Sequence, residues 1–383
     1  MLPLIAPGDK IVVEKSSSYK TDDVVVFYKN GKLIAHRLIY KNPQGRFLIT
    51  KGDNNLKADG KIKENQILGK VNKIKRRGRT ISLSHIYLTQ SSTYFSELKK
   101  VVGRLSENNI DFIVLKGLPV HIFVSNSPPK RIYLDADILI KKKDFIKTKK
   151  VLEKLGFYPY KSELFGKKIK KASQITLVKK PESFPTVIDL HLEPAIGFTR
   201  LKEPNLLLPP LKPFTEYLFS NIQKVNQNKT SFPVLKESAL MLYLLVHLYH
   251  HNFQGAHRFQ LISELSKNKK INWQEVSEKA KKYGLENFVY PTLLILKKYY
   301  PSSVSQKDLD KFRPKISKTF FAKTVPLLVN PFNKGGRPIE AIKRLVFLLL
   351  FSGAPLTKRL KIVFGKRIRS YYFPTIKSLF PSL

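Results

Sequence analysis

The spacing of apolar residues changes twice along this chain of 383 residues. Up to about residue 75, short runs rich in Val and Ile are separated by Gly, Asn, Asp and Pro, which is typical of β-strands joined by turns. From about residue 92, strand-like and helix-like segments alternate, which favours an α/β sheet. After Pro213 the spacing is that of helices. The pattern therefore predicts a multidomain protein that runs from all-β through α/β to all-α.

Four segments follow from this division. A basic, polar stretch at 75–79 suggests that a linker separates the β region from the rest, and the length allows two or three domains of roughly 100–200 residues. The expected segments are a β domain at 1–75, a linker at 76–90, an α/β domain at 91–212 and an all-helical domain at 213–383.

Charge and cysteine content limit the classes of function. Lys and Arg total 70 against 28 acids, a net charge of +42, and such a field attracts nucleic acid, nucleotides or an anionic membrane surface. Because Lys is spread along the whole chain, a Lys-rich surface without such a partner is an equally simple explanation. The absence of Cys excludes disulfides, thiolate metal sites and a Cys nucleophile, and it fits a cytoplasmic protein.

Membrane insertion has little support in the sequence. The longest apolar run, 345–351, is far shorter than the ~18–20 residues that span a bilayer. The first residues lack the basic and apolar regions of a signal peptide. Lys and Arg mixed with Leu, Phe and Tyr at 343–372 could lie on an anionic membrane, although such a stripe more often faces a core.

The most informative chemical pattern is a pair of acids inside an apolar strand. Asp135 and Asp137 stand at i and i+2 and so point to one face, followed by the apolar residues 138–140. Two adjacent carboxylates repel each other unless a cation neutralises them. Asp189 lies in a second apolar strand, and three such oxygen ligands suit Mg²⁺ or Mn²⁺ with substrate phosphates. Taken alone, an Asp-x-Asp pair is as often a solvated turn or strand end.

Cationic residues precede these acids. Lys116 and Gly117 follow a predicted strand, and glycine lets the backbone approach a phosphate closely. Arg131 adds a second cation shortly before the Asp-x-Asp pair. The three residues therefore form a candidate triphosphate-binding set.

Four motifs follow one another along the chain: Leu115-Lys116-Gly117, Arg131, Asp135-x-Asp137 and Ile188-Asp189-Leu190-His191. Together they resemble the uncharacterised nucleotidyltransferase family 5 of the polymerase-β-like superfamily. The resemblance covers about residues 90–360 and includes the helical part. It implies an NTP-binding sheet with a metal-bound carboxylate triad, and it leaves the acceptor open. The chain lacks a second glycine beside Gly117, and Ser263 stands where an acid is often found.

The first 75 residues carry a second pattern. Residues 3–9, 34–38 and 51–55 resemble the β-fold of S24/S26 signal peptidases, with Met1 and Pro3 matching part of a Ser-Met-x-Pro segment. That likeness implies His36 as general base, oriented by Asp53 and Asp59. The nucleophilic serine would precede Met1, so we expect no peptidase activity from this chain. A strand histidine without catalytic role is an equally good account of His36.

Four histidines near the predicted helices have metal-ligand spacings: His247, His250, His251 and His257. No Cys or Glu-x-x-His pairing accompanies them, so ordinary helix histidines are favoured over a zinc site. The Lys runs at 141–143 and 167–171 are expected to be solvated faces that could also guide a polyanion.

The leading hypothesis is an enzyme that transfers NMP from an NTP to an unknown acceptor with Mg²⁺. A second hypothesis is a signal peptidase whose membrane anchor and serine have been lost upstream of Met1, which would associate it with the membrane. A third is a basic scaffold that binds RNA or a membrane without catalysis.

Overall fold

The computed structural model describes residues 4–125, 128–133, 135–160, 173–179, 185–194, 196–198, 203–227, 229–370 and 372. Its β-rich N-terminal region is followed by an α/β region and a helical region, as the spacing of apolar residues predicts.

The N-terminal sheet has the strand order β1-β6-β2-β3-β4-β5, and β7 pairs with β6. Every pairing in it is antiparallel. Apolar side chains of β2 serve two cores: Val24 and Val26 join one apolar cluster, whereas Val25 and Phe27 join another. Its strands are β1 (Lys10–Glu14), β2 (Val24–Lys29), β3 (Lys32–Lys41), β4 (Leu48–Lys51), β5 (Lys61–Ile62), β6 (Ile67–Arg76) and β7 (Arg79–Ser82).

Residues 76–90 are regular structure, so the expectation of a linker there is wrong. β7 (Arg79–Ser82) pairs with β6, and helix α1 (Leu83–Glu107) begins directly after it. The Ser82 hydroxyl accepts a hydrogen bond from the His85 backbone N–H, which satisfies one of the free donors at the start of the helix.

Helix α1 connects two cores. Leu83 and Tyr87 pack in a cluster with residues of the N-terminal sheet, whereas Tyr94 and Leu98 belong to the large core of the following region. Because one continuous helix contributes to both cores, the two regions are joined by packed structure.

The central sheet carries the α/β region. Its strand order is β10-β11-β12-β9-β8. β9 and β12 run parallel, and the other neighbours are antiparallel. The strands are β8 (Phe112–Val114), β9 (Asp135–Ile140), β10 (Tyr158–Pro159), β11 (Gln174–Lys179) and β12 (Thr186–His191).

The helices pack around this sheet and extend beyond it in one continuous core. α5 is buried on nearly every side, as expected of a central helix. Besides α1, the helices are α2 (Leu118–Val124), α3 (Phe145–Lys154), α4 (Leu211–Ser220), α5 (Glu237–His250), α6 (Ala256–Asn268), α7 (Trp273–Lys282), α8 (Glu286–Tyr299), α9 (Gln306–Asp310), α10 (Lys318–Leu328), α11 (Arg337–Phe351) and α12 (Leu356–Val363).

A β-hairpin interrupts the region that we expected to be all-helical. β13 (Ile222–Gln227) pairs antiparallel with β14 (Thr230–Leu235). Phe232 and Val234 are buried, whereas Pro233 between them is less so. This alternation is too short to outweigh the helical spacing on either side.

Among the described residues, no helix combines the length and apolar character needed to cross a membrane.

Candidate active site

Three carboxylates share one face of the central sheet. In the parallel pairing of β9 with β12, Asp189 lies directly opposite Asp137. Asp135 is two residues before Asp137 on the same strand, so its side chain points to the same face. The structure therefore brings together on neighbouring strands the three acids that the sequence singles out.

Asp137 is the buried member of the group and is only 4% exposed. The Lys116 Nζ lies 3.0 Å from its Oδ2, and the His191 Nε2 lies 2.8 Å from its Oδ1. Burial alone would raise the pKa of Asp137, but the charge of Lys116 and the hydrogen bond from His191 hold it well below its usual range. Because an ionised carboxylate only accepts hydrogen bonds, the His191 Nε2–H is the donor.

Asp135 lies at the open end of the site with an exposed surface. Protein atoms nevertheless surround its carboxyl, and this desolvation, followed by the negative charge of Asp137, raises its pKa; Asp189 adds to the rise. No ion pair involves Asp135 among the described residues. A carboxylate crowded by two others is the arrangement that a bound cation would relieve.

Asp189 is half-buried on β12. Its Oδ1 accepts a hydrogen bond from the Thr176 hydroxyl at 2.5 Å, across the antiparallel pairing with β11. This contact orients one carboxylate oxygen.

Gly117 sets the geometry between β8 and α2. Its φ is +102°, a conformation that side chains other than that of glycine rarely adopt. A Cβ there would also lie 3.2 Å from the Asp135 backbone oxygen and 3.4 Å from the Tyr94 hydroxyl. The close approach places the preceding residue, Lys116, over Asp137.

Arg131 lies with its guanidinium carbon 4.7 Å from the centre of the Tyr133 ring. Its charge contributes to lowering the pKa values of Arg258 and His257, so these three side chains are near one another. Arg131 therefore belongs to the same part of the site as the first turn of α6.

Arg258 is a site residue that sequence reasoning did not assign. Desolvation lowers its pKa to about 10, while Asp135 and Asp137 favour its charged form. No described carboxylate is within ion-pair distance of its guanidinium, so it faces the acids without neutralising either directly. Its contribution depends on the packing of α6 against the sheet, which no local pattern predicts.

His247 and His250 of α5 and the adjacent His251 form a buried group behind the carboxylates. Burial lowers the pKa values of His247, His250 and His251 well below the usual range. The Nε2 atoms of His247 and His251 are 3.0 Å apart, and the His250 Nδ1–H donates to the Gly197 carbonyl at 3.0 Å. Each of the three imidazole rings therefore has a contact within the protein.

Within the part of the chain that the structure describes, no group of three or more His, Asp or Glu side chains is arranged to hold a metal ion. Lys116 and His191 contact the two carboxylate oxygens of Asp137, and Thr176 contacts one oxygen of Asp189. The donors themselves, all carboxylate oxygens on one sheet face, are the type that Mg²⁺ prefers.

The histidine of the N-terminal sheet has one of its two expected acidic partners. The His36 Nδ1 lies 2.7 Å from the Asp59 Oδ2, which also accepts from the Thr50 hydroxyl at 2.8 Å. Asp53 is instead bound in a bidentate ion pair with Arg37 at 2.7 and 2.8 Å. Met1 and Pro3 lie outside the described residues.

Comparison with known proteins gives two findings. A family model described as an uncharacterised nucleotidyltransferase matches residues 84–301. A solved structure of an antigenic nucleotidyltransferase-like protein from Paracoccidioides brasiliensis is 15% identical and covers 57% of this chain and 94% of its own, with a TM-score of 0.35. No curated protein matches the chain.

Proposed function

The chain belongs to this family of uncharacterised nucleotidyltransferases, and from that premise we propose that it transfers NMP from an NTP to a hydroxyl, amine or phosphate of an unidentified acceptor. The observation that carries the proposal is the register of β9 with β12, which sets Asp189 beside Asp137 and on the same face as Asp135. Family membership supports a transferase, and the carboxylate face supports phosphoryl chemistry.

Asp135, Asp137 and Asp189 are the residues that would hold Mg²⁺ or Mn²⁺. Such a metal, when bound, supplies charge neutralisation for the phosphates and activates the attacking group. The exposed Asp135, whose pKa is raised by desolvation and by Asp137, is the carboxylate most ready to accept a cation.

Lys116 has two roles in this proposal. In the ligand-free protein it neutralises the buried Asp137 carboxylate across 3.0 Å. A metal held by that carboxylate would supply the neutralising charge, and the Lys116 ammonium group would then be available to bind a phosphate of the NTP. Gly117 supports this exchange because its close backbone approach to Asp135 keeps Lys116 at the carboxylates. Arg131 is the second phosphate-binding cation.

His191 holds Asp137 in place from the side opposite Lys116. Its donated hydrogen bond fixes one carboxylate oxygen, while its buried Nδ1 has no partner among the described residues. We assign it a positioning role.

The experiment is a screen of the purified protein with Mg²⁺ and each NTP, measuring pyrophosphate release and labelling of the protein or of added acceptors. Wild type should release pyrophosphate with at least one NTP, and Asp135→Asn should not. Lys32→Gln, a change to an exposed lysine of the N-terminal sheet, is the control and should behave as wild type. An unchanged rate in Asp135→Asn would exclude this site.

We also propose that the N-terminal sheet has no peptidase activity. The His36 ring lies against Gly52, where an added Cβ would be 2.8 Å from Nε2, and Asp59 also accepts a hydrogen bond from Thr50. The His36–Asp59 pair then stabilises the sheet. A serine-directed fluorophosphonate probe tests this: labelling that disappears in His36→Ala would contradict the proposal.

A further inference from the structure

The N-terminal sheet is docked on the catalytic region through buried polar contacts. The Arg37 guanidinium is bound by Asp53 and donates to the Lys130 backbone oxygen at 2.9 Å and to the Tyr87 hydroxyl at 3.2 Å. Arg37 therefore holds the turn after β4 against the residue that precedes Arg131.

An aromatic cluster and two backbone contacts extend this interface. Tyr40 packs against Phe332 with ring centres 5.1 Å apart, and against Tyr299 and Tyr300. The Ala58 N–H donates to the Asn333 side chain at 2.9 Å, and the Lys334 N–H donates to the Leu56 carbonyl at 2.8 Å. Contacts of this number and burial fix how the sheet sits on the site.

The docking presents Lys51 to the start of α6. Ile49 packs in the same apolar cluster as Ala256, the first residue of α6. Lys51 lies two residues after Ile49 on β4, so its side chain points to the same face. The side chain of Lys51 is therefore directed towards the start of α6, where His257 and Arg258 follow Ala256.

Four cations converge here. The junction of the N-terminal sheet with α6 carries four basic residues that we call the cationic cluster: Lys51, Arg131, Arg258 and Lys334. Desolvation lowers the pKa of Lys51, and repulsion from Lys334 and Arg258 lowers it further. After desolvation, the charges of Arg258, Arg131, Lys116 and Lys51 lower the pKa of His257. No described carboxylate forms an ion pair with any member of the cluster. Cations that repel one another and have no ion-pair partner are stabilised by a ligand that supplies negative charge.

The charged groups that influence each cation indicate how the cationic cluster is arranged. Arg258 is attracted by Asp135 and Asp137, whereas Lys51 is influenced by Arg258 and Lys334. Together with the packing of Ile49 against Ala256, this arrangement sets the positive groups between the carboxylates and the N-terminal sheet.

We propose that Lys51, together with Arg258, binds the terminal phosphates of the NTP, so that the N-terminal sheet forms one wall of the transferase site. The assignment of the phosphates to an NTP rests on the proposed function, whereas the anion site itself does not. The sheet that resembles a peptidase is then a substrate-binding part of the transferase.

The test measures binding of inorganic tripolyphosphate, MgATP and AMP by calorimetry. Lys51→Gln should weaken tripolyphosphate and MgATP at least about tenfold, the loss of one charge-assisted contact, and leave AMP unchanged. Lys51→Arg should retain most of the affinity. The control Lys32→Gln, an exposed lysine where β3 begins, should match wild type. Tripolyphosphate binding that is the same in Lys51→Gln and wild type would overturn the proposal, and so would equal weakening of AMP.

A second variant guards against misfolding of Lys51→Gln. Lys334 is exposed, so Lys334→Gln should fold normally and weaken tripolyphosphate about two- to fivefold. If circular dichroism shows that Lys51→Gln is unfolded, unchanged binding in Lys334→Gln rejects the cationic cluster.

Two further outcomes separate this inference from the proposed function. If tripolyphosphate binding depends on Lys51 but no NTP supports NMP transfer, the anion site is supported and the transferase function is rejected. If the protein transfers NMP and Lys51→Gln changes only the KM for a phosphorylated acceptor, the transferase function is supported. The assignment of Lys51 to the NTP is then rejected.

Discussion

Replacing Lys116 by Met removes the cation that neutralises Asp137 while keeping a side chain of similar length. The Asp137 side chain is 5% exposed and that of Lys116 is 19% exposed. In the variant, the carboxylate would keep only its hydrogen bond from His191. An ionised group would then be buried without an opposite charge, one of the most destabilising changes that a single substitution can cause.

The magnitude follows from burial. Breaking a fully buried ion pair from one side costs about 3–5 kcal/mol. Since Lys116 has some contact with water, solvent can partly replace it, and we expect a loss of about 2–3 kcal/mol in the free energy of unfolding. For a unit of about 150–250 residues, this corresponds to a fall in Tm of roughly 5–10 °C.

Thermal and urea unfolding followed by circular dichroism will measure the loss. Lys142→Met is the matched control because the ion pair of Lys142 with Glu193 is at the surface, where such pairs contribute about 0–1 kcal/mol. The double variant Lys116→Met/Asp137→Asn removes the buried charge as well and should recover much of the lost stability.

Two results would refute this reasoning. One is a Lys116→Met variant that loses no more stability than Lys142→Met. The other is a double variant less stable than Lys116→Met, since that would mean that Asp137 is not held as a buried charge.

Three further predictions test other contacts. Asp135→Asn should leave Tm unchanged or raise it at neutral pH, because desolvation and Asp137 already disfavour the Asp135 charge; a fall in Tm would contradict this. The Arg76 hydrogen bond lowers the pKa of Asp9 from 3.8 to about 2, so the pair stabilises the fold above pH 3.8 and this contribution disappears as pH falls towards 2. Arg76→Gln should therefore cost about 1 kcal/mol at pH 7 and only a small part of that near pH 2, as urea titrations at both values will show. Gly117→Ala should lower the free energy of unfolding by about 1–3 kcal/mol in urea, because the φ of Gly117 is +102° and a Cβ would lie 3.2 Å from the Asp135 backbone oxygen. A urea midpoint equal to that of wild type would argue against this strain.

Much of the local structure could be predicted from residue spacing. The strand that carries Asp135 and Asp137 and the strand that carries Asp189 both lie close to their expected positions, because runs of apolar residues leave few alternatives for a short segment. The linker prediction was wrong because basic residues at 75–79 suggest an exposed segment, while the helix start depends on the small signal of Ser82. The other domain boundaries, the role of each acid and the peptidase resemblance stay predictions.

The sequence by itself determined that acids stand two residues apart on an apolar strand and that glycine follows Lys116, since these properties depend only on neighbours along the chain. Tertiary structure alone decided which strand lies beside β9, and so that Asp189 meets Asp137. It also decided that Lys51 and Arg258, more than 200 residues apart in the sequence, belong to one cationic cluster. The physical reason is that both outcomes depend on how whole sheets and helices bury their apolar faces against each other, which no short stretch of residues specifies.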